Sequence, residues 1–186
     1  MTRAGSTLKL TYGDLAKLPE DDLRHELIDG EHYVTATPTL LHQRVVMRLV
    51  LSLGPFAVAS GCGEMLAPSV DVVFTPHDVV VPDALFMTPE FVDRIRGDHL
   101  TAPPELMVEV LSPSTRGRDL RLKRRLYEQV GVREYWILDP IAATAQIFRQ
   151  GSQGYGEGEL LSAAGGDALT TALAPGWSLP LSALFR

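Results

Sequence analysis

The run ELMVEVL at 105–111 limits what this chain can fold into more than any other stretch. Seven residues are too few for an ordinary helix. No polar–apolar alternation marks a side that faces water. The pattern predicts a strand buried on both faces, as found inside α/β sheets covered by helices. Downstream, the spacing predicts a helix over 119–130 ended by Gly131, then a strand over 133–138. A strand–helix–strand unit over 105–138 calls for a right-handed crossover inside a mixed sheet.

The remaining segments fit around that unit. Thr11 and Asp14 have the spacing of a capping box and open a short helix to about Lys17. In HELIDGEHYV, the pair Asp29-Gly30 predicts a two-residue hairpin with positive φ at both centres. A helix over 38–60 carries Leu41, Val45, Leu49 and Gly54 on one side. Leu40, Met47, Val50 and Leu51 widen the stripe, so the helix is expected to be mostly buried and stopped by Gly61. Strands are expected over 64–74 and 79–86, and again over 143–149 after an Asp139-Pro140 turn. A short helix is expected over 89–96 and a hairpin loop over 151–158. Leu160, Leu161 and Trp177 read as a terminal sheet edge, and 181–185 as a short docking helix. With no repeat and no linker, the expectation is one domain over 1–186. Its class is α/β (α+β), a mixed sheet flanked by helices.

Composition excludes several functions. The 186 residues are 45% hydrophobic and 22% charged, as in globular proteins, and a chain this long buries about 70% of its unfolded surface. Cys62 is the only cysteine, which rules out an intrachain disulfide and a zinc ribbon. No apolar run reaches the roughly 18 residues of a membrane span. The start, MTRAGSTLKL, lacks the apolar core of a signal peptide, so the expected location is the cytoplasm. A net charge of −6 argues against a passive coat on nucleic acid, which works by neutralising phosphates. It leaves room for an enzyme with an acidic metal site and a local basic face. There is no glycine-rich phosphate loop, no Gly-x-Ser-x-Gly elbow and no His-Glu-x-x-His pair.

The informative residues are acids among apolar neighbours. Asp83 in VVVPDALF shares a face with Val81 and Leu85; Glu109 shares one with Met107 and Leu111. A lone carboxylate in a buried strand costs several kcal/mol unless something compensates it. Two on neighbouring strands suggest a shared divalent cation, Mg²⁺ or Mn²⁺, held by hard oxygen ligands. The other reading is that each acid caps a loop or pairs with an arginine. Pro82 marks a strand edge or bulge, where side chains are re-aimed. Beyond Glu109, Ser112, Ser114 and Thr115 can cap the next helix. Six of the 17 basic residues then fall within 116–125. Asp119, Lys123 and Tyr127 form one stripe of that helix, and Lys123 is placed to reach the carboxylates. Glu26 is a third acid with apolar neighbours. His42 and Asp71 read as more structural than functional, and Cys62 and Trp136 as core.

Taken in order, HELIDGEHYV, HQRVVMRL, VVVPDALF and the long run PPELMVEVLSPSTRGRDLRLKRRLYEQVGVREYWILDP resemble the Uma-two family of proposed endonucleases. That family, formerly a domain of unknown function, belongs to the PD-(D/E)XK restriction-endonuclease-like superfamily. The resemblance spans roughly 10–186. It implies a restriction-endonuclease-like core and metal-dependent hydrolysis of DNA. Asp83 and Glu109, with the Val110 carbonyl, would bind Mg²⁺ or Mn²⁺, and Glu26 would be a supporting acid. The superfamily lysine lies two residues after the acid, where this chain has Leu111; Lys123 is the matching candidate. Arg116, Arg118, Arg121 and Arg124 would track the DNA backbone, and a homodimer is expected. The alternative is a catalytically silent or partner-dependent nucleic-acid-binding protein with the nuclease fold. On this reading alanine at Asp83 or Glu109 abolishes cleavage and leaves the fold intact.

Overall fold

The computed structural model describes residues 8–19, 21, 23–67, 70–93 and 95–186. The run 105–111 forms β7 (Leu106–Val110), buried at every position. It lies inside a six-stranded mixed sheet of order β10-β9-β8-β7-β6-β3. β8 (Glu134–Asp139) runs parallel to it, with Leu106 opposite Glu134. β6 (Ala84–Met87) runs antiparallel on its other side, with Ala84 opposite Val108. β3 (Glu64–Leu66) closes that edge; β9 (Thr144–Arg149) and β10 (Glu159–Ser162) form the other.

The two faces of this sheet carry separate cores, divided by residue parity. Val108, Val110, Phe86, Trp136 and Leu138 pack against α2 (Leu40–Ser60) and α6 (Leu181–Leu184). Leu85, Met107, Leu111 and Ile137 face the opposite way, with Tyr127, Tyr135 and Phe148. Asp83 and Glu109 therefore belong by parity to the second face, as their neighbours in sequence indicated.

A second sheet has the order β2-β1-β5-β4. Its hairpin joins β1 (Arg24–Ile28) to β2 (Glu31–Thr35) through Asp29 and Gly30, with φ of 53° and 76°, the two positive values expected. The two strands expected over 64–74 and 79–86 are instead four, shared between the sheets: β3, β4 (Val72–Thr75), β5 (Asp78–Val80) and β6. Pro82 explains the second break. It has no N–H for a ladder, so the chain leaves the small sheet after β5 and enters the large one at β6. Asp83 sits at that junction.

Three further expectations are corrected. The helix expected over 38–60 begins at Leu40, with the Thr39 hydroxyl accepting from the His42 N–H. It is not mostly buried: Leu40, Met47, Leu51 and Val58 are exposed, because a helix lying on a sheet covers only one stripe. Trp177 is not a sheet edge. It stacks on Trp136 with ring centroids 6.2 Å apart and donates to Ser52. The helix expected over 119–130 starts earlier, as α4 (Arg116–Arg118), passes through a π turn (Asp119–Lys123) and continues as α5 (Arg124–Val130). Two short helices, α1 (Tyr12–Leu15) and α3 (Pro89–Val92), lie outside the sheets, α1 with Asp14 accepting from both Thr11 groups. No helix among the described residues is long and apolar enough to cross a membrane.

Gly63 sets how closely β3 approaches β6. Its φ is 153°, and a Cβ there would run into the Met87 carbonyl and the Phe86 ring. Gly63→Ala should destabilise the fold by about 1–3 kcal/mol, the usual cost of forcing atoms into filled space. Urea unfolding measures this, and an unchanged midpoint would contradict the packing described.

Candidate active site

Five charged side chains at the meeting of the two sheets are 2% exposed or less: Glu26, Asp83, Glu109, Asp119 and Lys123. They come from four segments. Glu26 is on β1, Asp83 follows Pro82, Glu109 is on β7, and Asp119 and Lys123 bound the π turn. Asp83 N–H bonds to the Val108 carbonyl at 3.0 Å, so the β6–β7 ladder continued by one residue sets Asp83 opposite Glu109.

Lys123 ties the set together. Its Nζ lies 2.7 Å from Glu26 Oε1, 2.8 Å from Glu109 Oε1 and 3.8 Å from Asp119 Oδ1. Burial alone would push this ammonium toward neutrality. The charges of Glu109, Glu26 and Asp119 push harder the other way and hold it protonated. Glu109 Oε1 also accepts the Tyr127 hydroxyl at 2.9 Å. Burial raises the Glu109 carboxyl well above its ordinary value; Lys123 opposes this, while Asp119, Asp83 and Glu26 add to it. Glu26 Oε1 accepts the Val81 N–H, and its Oε2 lies 3.2 Å from Arg118.

Asp83 is held differently. Oδ1 accepts from Arg24 at 2.7 Å, and Oδ2 from His42 Nε2 at 3.0 Å and the Val110 N–H at 2.8 Å. Burial pushes this carboxyl up, but His42, Arg24 and the Val110 N–H outweigh it and bring it down to about 2. Val110, named for its carbonyl, also bonds Asp83 through its N–H. Arg24 was not singled out, although it shares the period-two face of Glu26 on β1, which was the available signal. His42 read as structural, yet it is a direct partner of Asp83. Tyr127 had been placed on the right stripe without a role.

A cavity of about 180 Å³ opens onto the cluster. Arg24, His42, Asp83, Glu109 and Lys123 line it together with the hydroxyl residues Thr35, Thr37, Thr39, Ser112, Ser114 and Thr115. A larger cavity of about 760 Å³ shares Arg24 and residues 35–38 with it, so the two adjoin. The four arginines expected along a nucleic-acid backbone do not form one set. Arg118 is drawn inside, to Glu26 and the Thr35 hydroxyl, with its guanidinium over the Tyr33 ring. Arg124 bonds the Gly156 carbonyl and lies over Phe148. Arg116 pairs with Asp139 but stays half exposed, and Arg121 is exposed on the surface beside Gly117.

Four acidic side chains (26, 83, 109, 119) face Arg24, Arg118, Lys123 and His42. Glu26 Oε2 and Asp119 Oδ1 are buried without a hydrogen bond. No described hydrogen bond or ion pair ends on Glu109 Oε2. No group of three or more His, Cys, Asp or Glu set to hold a metal occurs among the described residues. A hard cation does not need one: Mg²⁺ is commonly held by one or two carboxylates, with water and phosphate oxygens filling the rest of its shell. Asp83 and Glu109 on one cavity fit that demand.

The three donors on Asp83 change the expectation for its alanine variant. Removing the carboxylate leaves a partly buried guanidinium and an orphaned N–H, at a cost of about 1–3 kcal/mol, so the fold is weakened. The ionised Asp83 stabilises the fold fully above its unfolded pKa near 4, and this is lost as pH falls toward about 2. Melting temperatures measured from pH 6 to pH 2 should fall more steeply for the wild type than for Asp83→Asn. Parallel curves would contradict the assignment.

The Uma2 family, described as "Putative restriction endonuclease", matches residues 12–182. The fold is similar to the crystal structure of "a putative nuclease belonging to DUF820 from Anabaena variabilis ATCC 29413". The TM-score is 0.82 at 19% identity, over 95% of this chain and 97% of that one. At that identity the likeness is one of fold. No curated protein matches the chain.

Proposed function

The chain belongs to the Uma2 family, and on that premise we propose that it is a nuclease that hydrolyses phosphodiester bonds of DNA with Mg²⁺ or Mn²⁺. The observation that carries this reading is the buried Lys123 ammonium, bonded to Glu26 and Glu109 on the cavity that Asp83 also lines. The lysine missing at position 111 has its charge supplied from the π turn. Leu111 itself is buried in the core on the Glu109 side of the sheet. This placement of Lys123 favours the nuclease reading over a silent or partner-dependent binding protein.

Asp83 and Glu109 would hold the cation. When bound, it supplies a Lewis acid for a phosphodiester oxygen and a lowered pKa for a water. The chain's own residues do the rest. Arg24, His42 and the Val110 N–H fix the Asp83 carboxylate in one orientation and keep it ionised. Tyr127 and Lys123 orient Glu109 by both bonding its Oε1. Lys123 places a permanent positive charge beside the scissile phosphate, where negative charge grows in the transition state. The hydroxyls of Ser112, Ser114 and Thr115 stand where phosphate oxygens would enter. A copy of the chain acting on each strand is the expected assembly.

Cleavage of supercoiled plasmid and of single-stranded DNA tests the proposal. With Mg²⁺ or Mn²⁺ the wild type should cut, and chelator should stop it. Asp83→Asn, Glu109→Gln and Lys123→Met should each lose about 10²-fold or more in rate, the usual cost of removing a transition-state charge contact. A folded wild type with no cleavage under either metal, or undiminished cleavage in Glu109→Gln, would overturn it.

A further inference from the structure

Asp119, Lys123 and Tyr127 are spaced four apart. On a regular α-helix each such step drifts by about 40°, so the three would fan over about 80°. The structure avoids that fan. Asp119–Lys123 is a π turn, in which more residues close each turn and side chains four apart return closer to one line. Lys123 Nζ and Tyr127 Oη then both reach the same atom, Glu109 Oε1, at 2.8 and 2.9 Å. Arg118, immediately before the turn, lies on Glu26.

A widened turn disturbs the regular backbone ladder and needs something to hold it. At its first residue the Asp119 carbonyl accepts the Tyr135 hydroxyl at 3.0 Å. Tyr135 comes from β8, is fully buried, and has no contact with the cavity. Its ring meets Tyr127 edge-on at 4.9 Å and stacks on Phe148 and Tyr155, so the hydroxyl has one place to go. We propose that Tyr135 is a positioning residue: by donating to the Asp119 carbonyl it holds the π turn, and through the turn it seats Lys123 on Glu26 and Glu109. The six-stranded sheet thereby sets the place of the ammonium, although no residue of β8 lines the site. The kinetic part of this inference rests on the nuclease reading above; the structural part does not.

Tyr135→Phe keeps the ring and removes one oxygen. Two readings are taken. In protein labelled with ¹⁵N at lysine, the Lys123 ammonium should give a slowly exchanging signal, assigned by its absence in Lys123→Met. Tyr135→Phe should broaden or abolish that signal. DNA cleavage should lose about tenfold in kcat with KM unchanged, since a misplaced group costs the chemical step and not binding. Substituting 4-aminophenylalanine at position 135, which keeps a donor in place, should restore both. If the Phe variant does not fold, 4-methylphenylalanine fills the space without donating and yields the same two readings. An unchanged ammonium signal overturns the proposal, even if melting temperature falls, because Tyr135 would then be packing alone. A signal that responds in a protein that cuts no DNA keeps the positioning role and removes the nuclease reading.

Discussion

A protonated lysine with 1% exposure is held between two carboxylates, and the rest of the structure depends on that contact. An ammonium taken out of water costs several kcal/mol and is repaid only by close, well-oriented partners. Here the lysine and its two partners come from three places. Glu26 is on the small sheet, Glu109 on the large one, and Lys123 on the helical crossover that covers them. The pair of bonds therefore fastens both sheets to the crossover. It also places opposite charges side by side in a low dielectric, which a site for charged substrates needs and a stability-driven core would avoid.

The junction at Pro82-Asp83 is the second constraint. Proline ends the ladder of one sheet, and Asp83 begins the approach to the other. Asp83 becomes the point where Arg24 of the small sheet, His42 of the long helix and Val110 of the large sheet converge. The two carboxylates facing the cavity thus differ in kind. Asp83 is held ionised down to about pH 2, whereas Glu109 is raised by burial and by the acids around it. Four acidic side chains meet there, and two of their buried oxygens, Glu26 Oε2 and Asp119 Oδ1, have no hydrogen bond.

Much of this was legible in the sequence, and for physical reasons. Buried acids are costly, so Asp83, Glu109 and Glu26 stood out by their apolar neighbours. Lys123 stood out by its stripe with Asp119 and Tyr127. Asp29-Gly30 and Gly61 declared their turns through the conformations that only such residues adopt cheaply. What the sequence hid depended on contacts between distant segments. Arg24 and His42 are ordinary residue types until Asp83 arrives from 41 or more positions away. The π turn has no local signature, because its support is a hydroxyl from another strand. The exposed side of the long helix was misjudged because apolar residues on both flanks of a helix do not say which flank meets the sheet. Trp177 read as strand for want of its stacking partner, Trp136.

The central claim is that Asp83 and Glu109 together hold a divalent cation while Lys123 stays on Glu109. Anomalous diffraction from crystals soaked in Mn²⁺ tests it most directly. The account predicts one strong peak within about 2.0–2.3 Å of a carboxylate oxygen of each acid, with the Lys123 ammonium still bonded to Glu109. Manganese bound elsewhere, or no peak at these carboxylates in a crystal whose site is open to solvent, would contradict it.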